Sequence, residues 1–261
     1  MRLALGISYN GGAYQGWQSQ LSGLTVQDKL EAALGQFTSQ ARLSTLCAGR
    51  TDAGVHGLMQ VVHFDSPVQR TPSSWVRGTN AHLPRDIAVQ WACEVPPEFH
   101  CRASAISRRY LYIVLQSPVR PSLDAGRVGW VFRALDGQAM NDAAKHLLGE
   151  HDFSSFRASS CQALSPVKNM QRINISRRGA YWRFEFEANA FLHHMIRNIM
   201  GCLITIGLGK QPAQWMGNVL AERNRVKAAP TFSPDGLYFV GPRYDAHWGL
   251  PDKAVAYDGL P

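Results

Sequence analysis

Gly49-Arg50-Thr51-Asp52-Ala53-Gly54-Val55-His56 sets one acid between glycines, one residue removed from an arginine, and leads directly into the apolar run Leu58 to Phe64. The glycines predict a tight loop and the run behind it predicts a strand. A carboxylate fixed in this way beside a guanidinium stays ionised and can attack an electrophile. The arginine can also bind a phosphate.

Outward from this loop the chain alternates strands and helices. Leu3, Leu5, Ile7 and Tyr9 read as a half-buried strand, followed by the glycine-rich stretch Asn10 to Gln18. Thr25 is placed as the N-cap of a helix whose apolar stripe is Val26, Leu30, Ala33, Leu34 and Phe37, with Gln27, Asp28, Lys29 and Glu31 on the opposite face. Thr71-Pro72 opens a short helix, and Ile87 to Cys93 is a third strand. Val95-Pro96-Pro97 is the best candidate boundary, dividing the chain into domains 1–97 and 98–261. Beyond it, Arg109 to Leu115 is a strand with Tyr110 and Tyr112 on one face. Asp136 caps a helix through Leu148, with Gly149 as its C-cap. Arg172 to Ser176 and Tyr181 to Ala188 flank a hairpin turn at Arg177-Arg178-Gly179-Ala180. His194 to Leu208 and Gln211 to Glu222 are helices, and Gly236 to Val240 a final strand. The mixed order gives an α+β fold, each half an antiparallel sheet backed by helices.

Composition narrows the partners. Lys plus Arg total 27 against 19 Asp plus Glu, a formal net charge of +8, which favours an acidic partner such as nucleic acid. Residues 101–120 carry four arginines and no acid, and residues 151–210 carry eight Lys or Arg against three Asp or Glu. Aromatics are interleaved: Tyr110, Tyr112, Phe153, Phe156, Tyr181, Trp182, Phe184 and Phe191. Such a surface neutralises phosphates and stacks on unpaired bases. The competing reading is that most of these rings are core at strand spacing, and Phe184 and Phe186 are assigned to the core. The five cysteines are widely spaced with no C-x-x-C pair, which fits a reducing cytoplasm and argues against zinc. His193-His194 are adjacent rather than four apart, so no helical metal pair is expected; one is taken as packed and the other as wet. No apolar run is long enough for a membrane span. Arg197 interrupts the apolar stretch Ile196 to Leu208 and calls for a partner, either solvent at the helix edge or a carboxylate, with Asp52 the best candidate.

These residues together resemble the tRNA pseudouridine synthase A family. The Gly49–His56 stretch is similar to its catalytic signature. Tyr9-Asn10-Gly11-Gly12, Gly16-Trp17-Gln18, Arg109-Tyr110-Leu111-Tyr112, Gly149 to Phe156, Phe191 to Ile199 and Gly236-Leu237-Tyr238 resemble its further landmarks, in the same order over nearly the whole chain. The resemblance implies two related α+β domains lining a basic cleft. It also implies an isomerase of uridine in the anticodon stem-loop of tRNA (tRNA positions 38–40), working as a homodimer with no cofactor and no metal. It makes Asp52 the nucleophile, Arg50 the residue that fills the space of the flipped base or holds a phosphate, and Tyr110 the ring that stacks on uracil. Arg197 is the partner of Asp52, and Leu237 presses on the base. The chain departs from the family in Asn10, often Asp, and His193, often Tyr. Two other classes use the same features: an RNA-binding module without catalysis, and a glycosidase or nucleosidase built on Asp52. The second of these usually wants two carboxylates.

Overall fold

The computed structural model describes residues 1–40 and 43–251. The described residues divide into two compact units, Met1–Arg108 with residues 238–251, and Arg109–Leu237.

The first unit is built on β1 (Arg2–Tyr9), β2 (Leu46–Cys47), β3 (His56–Asp65), β4 (Ile87–Val95) and all but the first residue of the last described strand, β10 (Leu237–Tyr244). β1 lies between β4 and β3, antiparallel to both, with Leu5 opposite Val62 and Ala92. β10 runs parallel to β3 at Tyr238 and Phe239. α1 (Val26–Thr38) and α2 (Pro72–His82) cover one face, where Leu3, Leu5, Ile7, Trp17, Leu30, Leu34, Phe64 and Trp75 form a core. Both helices begin as the sequence predicts: Thr25 accepts from Asp28 N–H and Thr71 from Ser74 N–H, each satisfying a first-turn amide.

Two sequence expectations change here. β1 is buried on both faces, because Ala4 joins a second cluster with Met59, Val61, Trp91, Phe99 and Cys101. Gly6 permits this: a Cβ there would come within 2.2 Å of the Trp91 indole. The polar face of α1 is also partly covered, since Gln27 and Glu31 are buried. The Glu31 carboxylate accepts from Thr45 N–H at 2.8 Å and from Gln27 Nε2 at 2.8 Å, so these polar atoms are satisfied within the protein rather than by water.

His63 lies beside the second cluster, its ring 4.9 Å from that of His100. Burial, then His100 and Arg2, lower its pKa from 6.5 to about 4. The unfolded chain therefore takes up this proton as pH falls through 6.5, while the native chain does not until about pH 4. The stabilisation is complete above that window and is lost as pH falls through it. We expect a loss on the order of 2 kcal/mol by pH 4 from this group. Melting temperatures across the window should fall less in His63→Gln than in the wild type; equal slopes would remove His63 as the cause.

The second unit holds most of β5 (Ala105–Gln116), then β6 (Gly129–Val131), α3 (Gly137–Lys145), β7 (Gly149–Asp152), β8 (Val167–Arg178), β9 (Tyr181–Ala188), α4 (Met195–Gly207) and α5 (Trp215–Glu222). Its strands run in the order β5-β9-β8-β7, with β6 parallel to β5. α3 packs against α4, α5 and β8. The buried rings of Phe153, Phe156, Phe184 and Phe186 join Met140, Ile199, Met200 and Leu203 in its interior. Asp136 caps α3 as expected, accepting from Ala139 N–H at 3.0 Å. The helix stops at Lys145, however, and Gly149 (φ 95°) opens β7 instead of capping it. β8 and β9 turn at Gly179-Ala180, with Arg178 opposite Tyr181.

Candidate active site

Asp52 sits on a turn closed by Val55 N–H donating to Asp52 O at 3.1 Å. Gly54, at φ 80°, occupies the third position of this turn, where a positive φ is required. The glycine-rich segment after β1 lies against the turn. Trp17 N–H donates to Thr51 O at 3.0 Å and Gly54 N–H donates to Tyr14 O at 3.3 Å. Gly11 approaches so closely that a Cβ there would meet Val55 O at 1.9 Å. Gly11 N–H also donates to Nδ1 of buried His56 at 3.1 Å, and the His56 ring stacks on Tyr238 at 4.7 Å. The two glycine-rich motifs, distant in sequence, are thus one packed unit that leaves the Asp52 side chain partly exposed and Arg50 exposed. Asn10 accepts from Gly12 N–H at 3.1 Å. An aspartate could accept the same bond, so Asn10 preserves the local turn.

In the second unit Tyr110 projects from β5 half-buried, its ring edge-on to Phe191 at 5.1 Å. Arg197 lies in the first turn of α4. Its Nε donates to Phe232 O at 3.0 Å, and its own backbone oxygen accepts from Phe232 N–H at 3.1 Å. The pairing with a backbone carbonyl was invisible in sequence, because the partner lies 35 residues away. Leu237 is buried at the start of β10, directly after Gly236, whose oxygen accepts from Ile113 N–H at 2.9 Å. Arg50 and Asp52 therefore share one loop of the first unit, while Tyr110, Arg197 and Leu237 belong to the second. His193 is exposed and His194 half-buried, with their rings 4.1 Å apart.

The aromatic and basic residues sort into two groups. Tyr112, Phe153, Phe156, Trp182 and Phe184 are core, whereas Tyr110, Tyr181 and Phe191 retain exposure. On β8 and β9, Arg172 and Arg183 flank Glu185 at 3.7 and 3.0 Å, which offsets part of their charge. Arg177 lies over Trp182 at 5.2 Å.

In the first unit His63, His100 and Cys101 bring ligand-type atoms within 4.8 Å of one another. Their chemistry does not suit a metal. Nδ1 of His63 accepts from Cys101 N–H at 3.3 Å, and Nδ1 of His100 accepts from Arg102 and Ala103 N–H at 3.2 Å. Each neutral ring then carries its proton on Nε2. Burial pushes the Cys101 thiol up to about 12, far from the thiolate a metal needs.

The sequence matches the family model described as tRNA pseudouridine synthase over residues 7–102 and 143–245. The chain belongs to the tRNA pseudouridine synthase family. Membership makes it an isomerase acting on uridine in tRNA. Relatives named tRNA pseudouridine synthase A include one from Albidiferax ferrireducens, 74% identical over 261 residues and covering 100% of both chains. Another, from Polaromonas naphthalenivorans, is 70% identical over 265 residues with 100% of both chains covered. A chain in a crystal structure of a Cbf5-Nop10-Gar1 complex is similar at TM-score 0.39 and 11% identity, covering 91% of this chain and 48% of that one. No described helix is long and apolar enough to cross a membrane.

Proposed function

We propose that Asp52 is the nucleophile of the isomerisation and that the uridine lies in the anticodon stem-loop, at tRNA positions 38–40. The observation that carries this reading is the Asp52 turn itself. The main chain that carries this partly exposed carboxylate is held by backbone hydrogen bonds from Trp17 N–H to the preceding residue and from Gly54 N–H to Tyr14, with exposed Arg50 two residues away. A group so fixed loses little freedom when it meets the substrate.

The reaction breaks the C1′–N1 bond and leaves its electron pair on the uracil. The base turns, C5 bonds to C1′, the C5 proton departs, and N1 ends protonated. Asp52 assists by attacking the sugar, by attacking the base or by helping a glycal path, and any bond it forms to the substrate is broken again before the product leaves, which returns the free carboxylate. The uridine is flipped out of its stem, which costs a few kcal/mol. Tyr110 stacks on the extruded base through a half-exposed ring that Phe191 braces edge-on. Tyr110 also helps remove the C5 proton. Arg50 fills the vacated space or holds a phosphate, Leu237 presses on the uracil, and Arg197 supplies a cation to the carboxylate. In this reading the chain works as a homodimer in the cytoplasm, and no cofactor takes part.

Purified protein incubated with tRNA tritiated at uracil C5, without added metal or cofactor, should release tritium to water. Pseudouridine should map to positions 38–40. Tight tRNA binding without release would favour an RNA-binding module, and free uracil would favour a nucleosidase. For Arg197→Ala, we expect kcat to fall roughly 10- to 100-fold with tRNA affinity nearly unchanged. Equal losses in rate and affinity would mark a phosphate contact instead.

A further inference from the structure

A buried polar chain underlies the Asp52 loop. Gln60 lies in the middle of β3, opposite Ile7 of β1, and is fully buried. Its side-chain amide addresses both backbone groups of Gly49: Nε2 donates to Gly49 O, and Oε1 accepts from Gly49 N–H at 3.3 Å. Tyr9, at the end of β1, places its phenol oxygen 2.8 Å from Thr51 Oγ1, also buried. Burial holds this phenol well above its ordinary pKa and therefore neutral. Gly57 makes room for the ring, since a Cβ there would come within 2.4 Å of Tyr9. The two residues thus grip the positions on either side of Arg50, and the second grip falls on the residue immediately before Asp52.

Nothing in strand formation requires a glutamine or a phenol at these positions. Apolar side chains would fill the same space without a desolvation cost, and a buried polar chain is favourable only when each member is satisfied. Here the bonds are spent on one loop. Tyr9 and Gln60 are also far apart in sequence but both project beneath the same four residues, so losing either leaves a buried donor or acceptor unpaired next to Asp52.

We propose that Tyr9 and Gln60 are positioning residues for Asp52, setting the direction of its carboxylate without touching the uridine. This rests on the reading of Asp52 as the nucleophile.

The test compares wild type, Asp52→Asn, Tyr9→Phe, Gln60→Met and Thr51→Val with Thr51→Ser, each checked for a cooperative melt. Single-turnover tritium release and tRNA dissociation constants are measured well below the melting temperature. Tyr9→Phe keeps the ring and removes one oxygen. We expect it and Gln60→Met to lower the rate roughly 10- to 100-fold, the scale of a misplacement near 1 Å, with tRNA affinity unchanged. Thr51→Val should behave alike and Thr51→Ser should restore the rate, because serine keeps the hydroxyl that meets Tyr9. The double variant Tyr9→Phe/Gln60→Met should lose less than the product of the single losses, as expected for members of one network. A folded Tyr9→Phe with wild-type rate, or Thr51→Val equal to Thr51→Ser, would overturn the proposal. So would a parallel loss of rate and tRNA affinity. If Tyr9→Phe or Gln60→Met does not fold, the Thr51 pair decides. Turnover in Asp52→Asn would instead overturn the nucleophile reading on which the proposal stands, so the two failures are distinguishable.

Discussion

Replacing Asp52 with asparagine is expected to lower tritium release from tRNA by more than about a thousandfold, the scale seen when a nucleophile is removed. Affinity for tRNA should stay the same or rise slightly. Asparagine is nearly isosteric, and the turn is held by backbone groups, Asp52 O from Val55 N–H and Thr51 O from Trp17 N–H, none of which involves the carboxylate oxygens. The local backbone should therefore survive the change. Binding to a polyanion is dominated by cations meeting phosphates, and removing one carboxylate removes a repulsion. A dead enzyme that still binds is thus the signature of chemistry at Asp52. Fluorescence anisotropy for binding and tritium release for turnover, measured on one preparation, separate the two terms. Measurable turnover in the variant would exclude Asp52 as the nucleophile. Loss of binding together with turnover would mean that the loop had collapsed or that the residue holds the tRNA.

How much of this was legible in the sequence depends on the reach of each interaction. The Asp52 turn was legible because its determinants are local: Gly54 supplies the positive φ within three residues of the acid. Thr25, Thr71 and Asp136 were legible as helix caps for the same reason, since each accepts from an amide three residues on. What failed was set by tertiary packing. The second buried face of β1 depends on Trp91 lying over Gly6, and the burial of Glu31 depends on Thr45, fourteen residues away. The end of α3 was misread because Gly149 has the positive φ of a C-cap but spends it in opening β7. Phe153 and Phe156 could equally have been stacking platforms, since composition does not separate a core ring from a surface ring; burial does. Among the proposed site residues, Asp52 carries a local signal. The Tyr9–Thr51 hydrogen bond spans 42 residues, and no local pattern in the chain reveals it.

The largest stability effect in this region is expected from Trp17→Ala. Trp17 is fully buried in the first unit, its ring 5.6 Å from that of Tyr9. Truncating a buried tryptophan costs about 3–5 kcal/mol, from lost transfer free energy and the cavity left behind. The indole Nε1 is buried without a hydrogen-bond partner, so that cost is packing alone, with no bond to lose. Trp17→Phe should then be far milder, because it keeps much of the ring and removes an unsatisfied donor. With two compact units, the melt need not be a single transition. We expect the transition of the unit carrying Trp17 to move down by roughly 6–20 °C in Trp17→Ala and by only a few degrees in Trp17→Phe. Calorimetry distinguishes these results. Both variants keep the backbone bond from Trp17 N–H to Thr51 O, so equal shifts would mean that a phenyl ring recovers none of the indole's packing. The functional consequence follows from the same contact. The Trp17 ring braces Tyr9, the partner of Thr51, so the alanine variant should lose turnover at temperatures where it is still folded, while the phenylalanine variant should retain it. A folded Trp17→Ala with full activity would show that Asp52 keeps its place without this support.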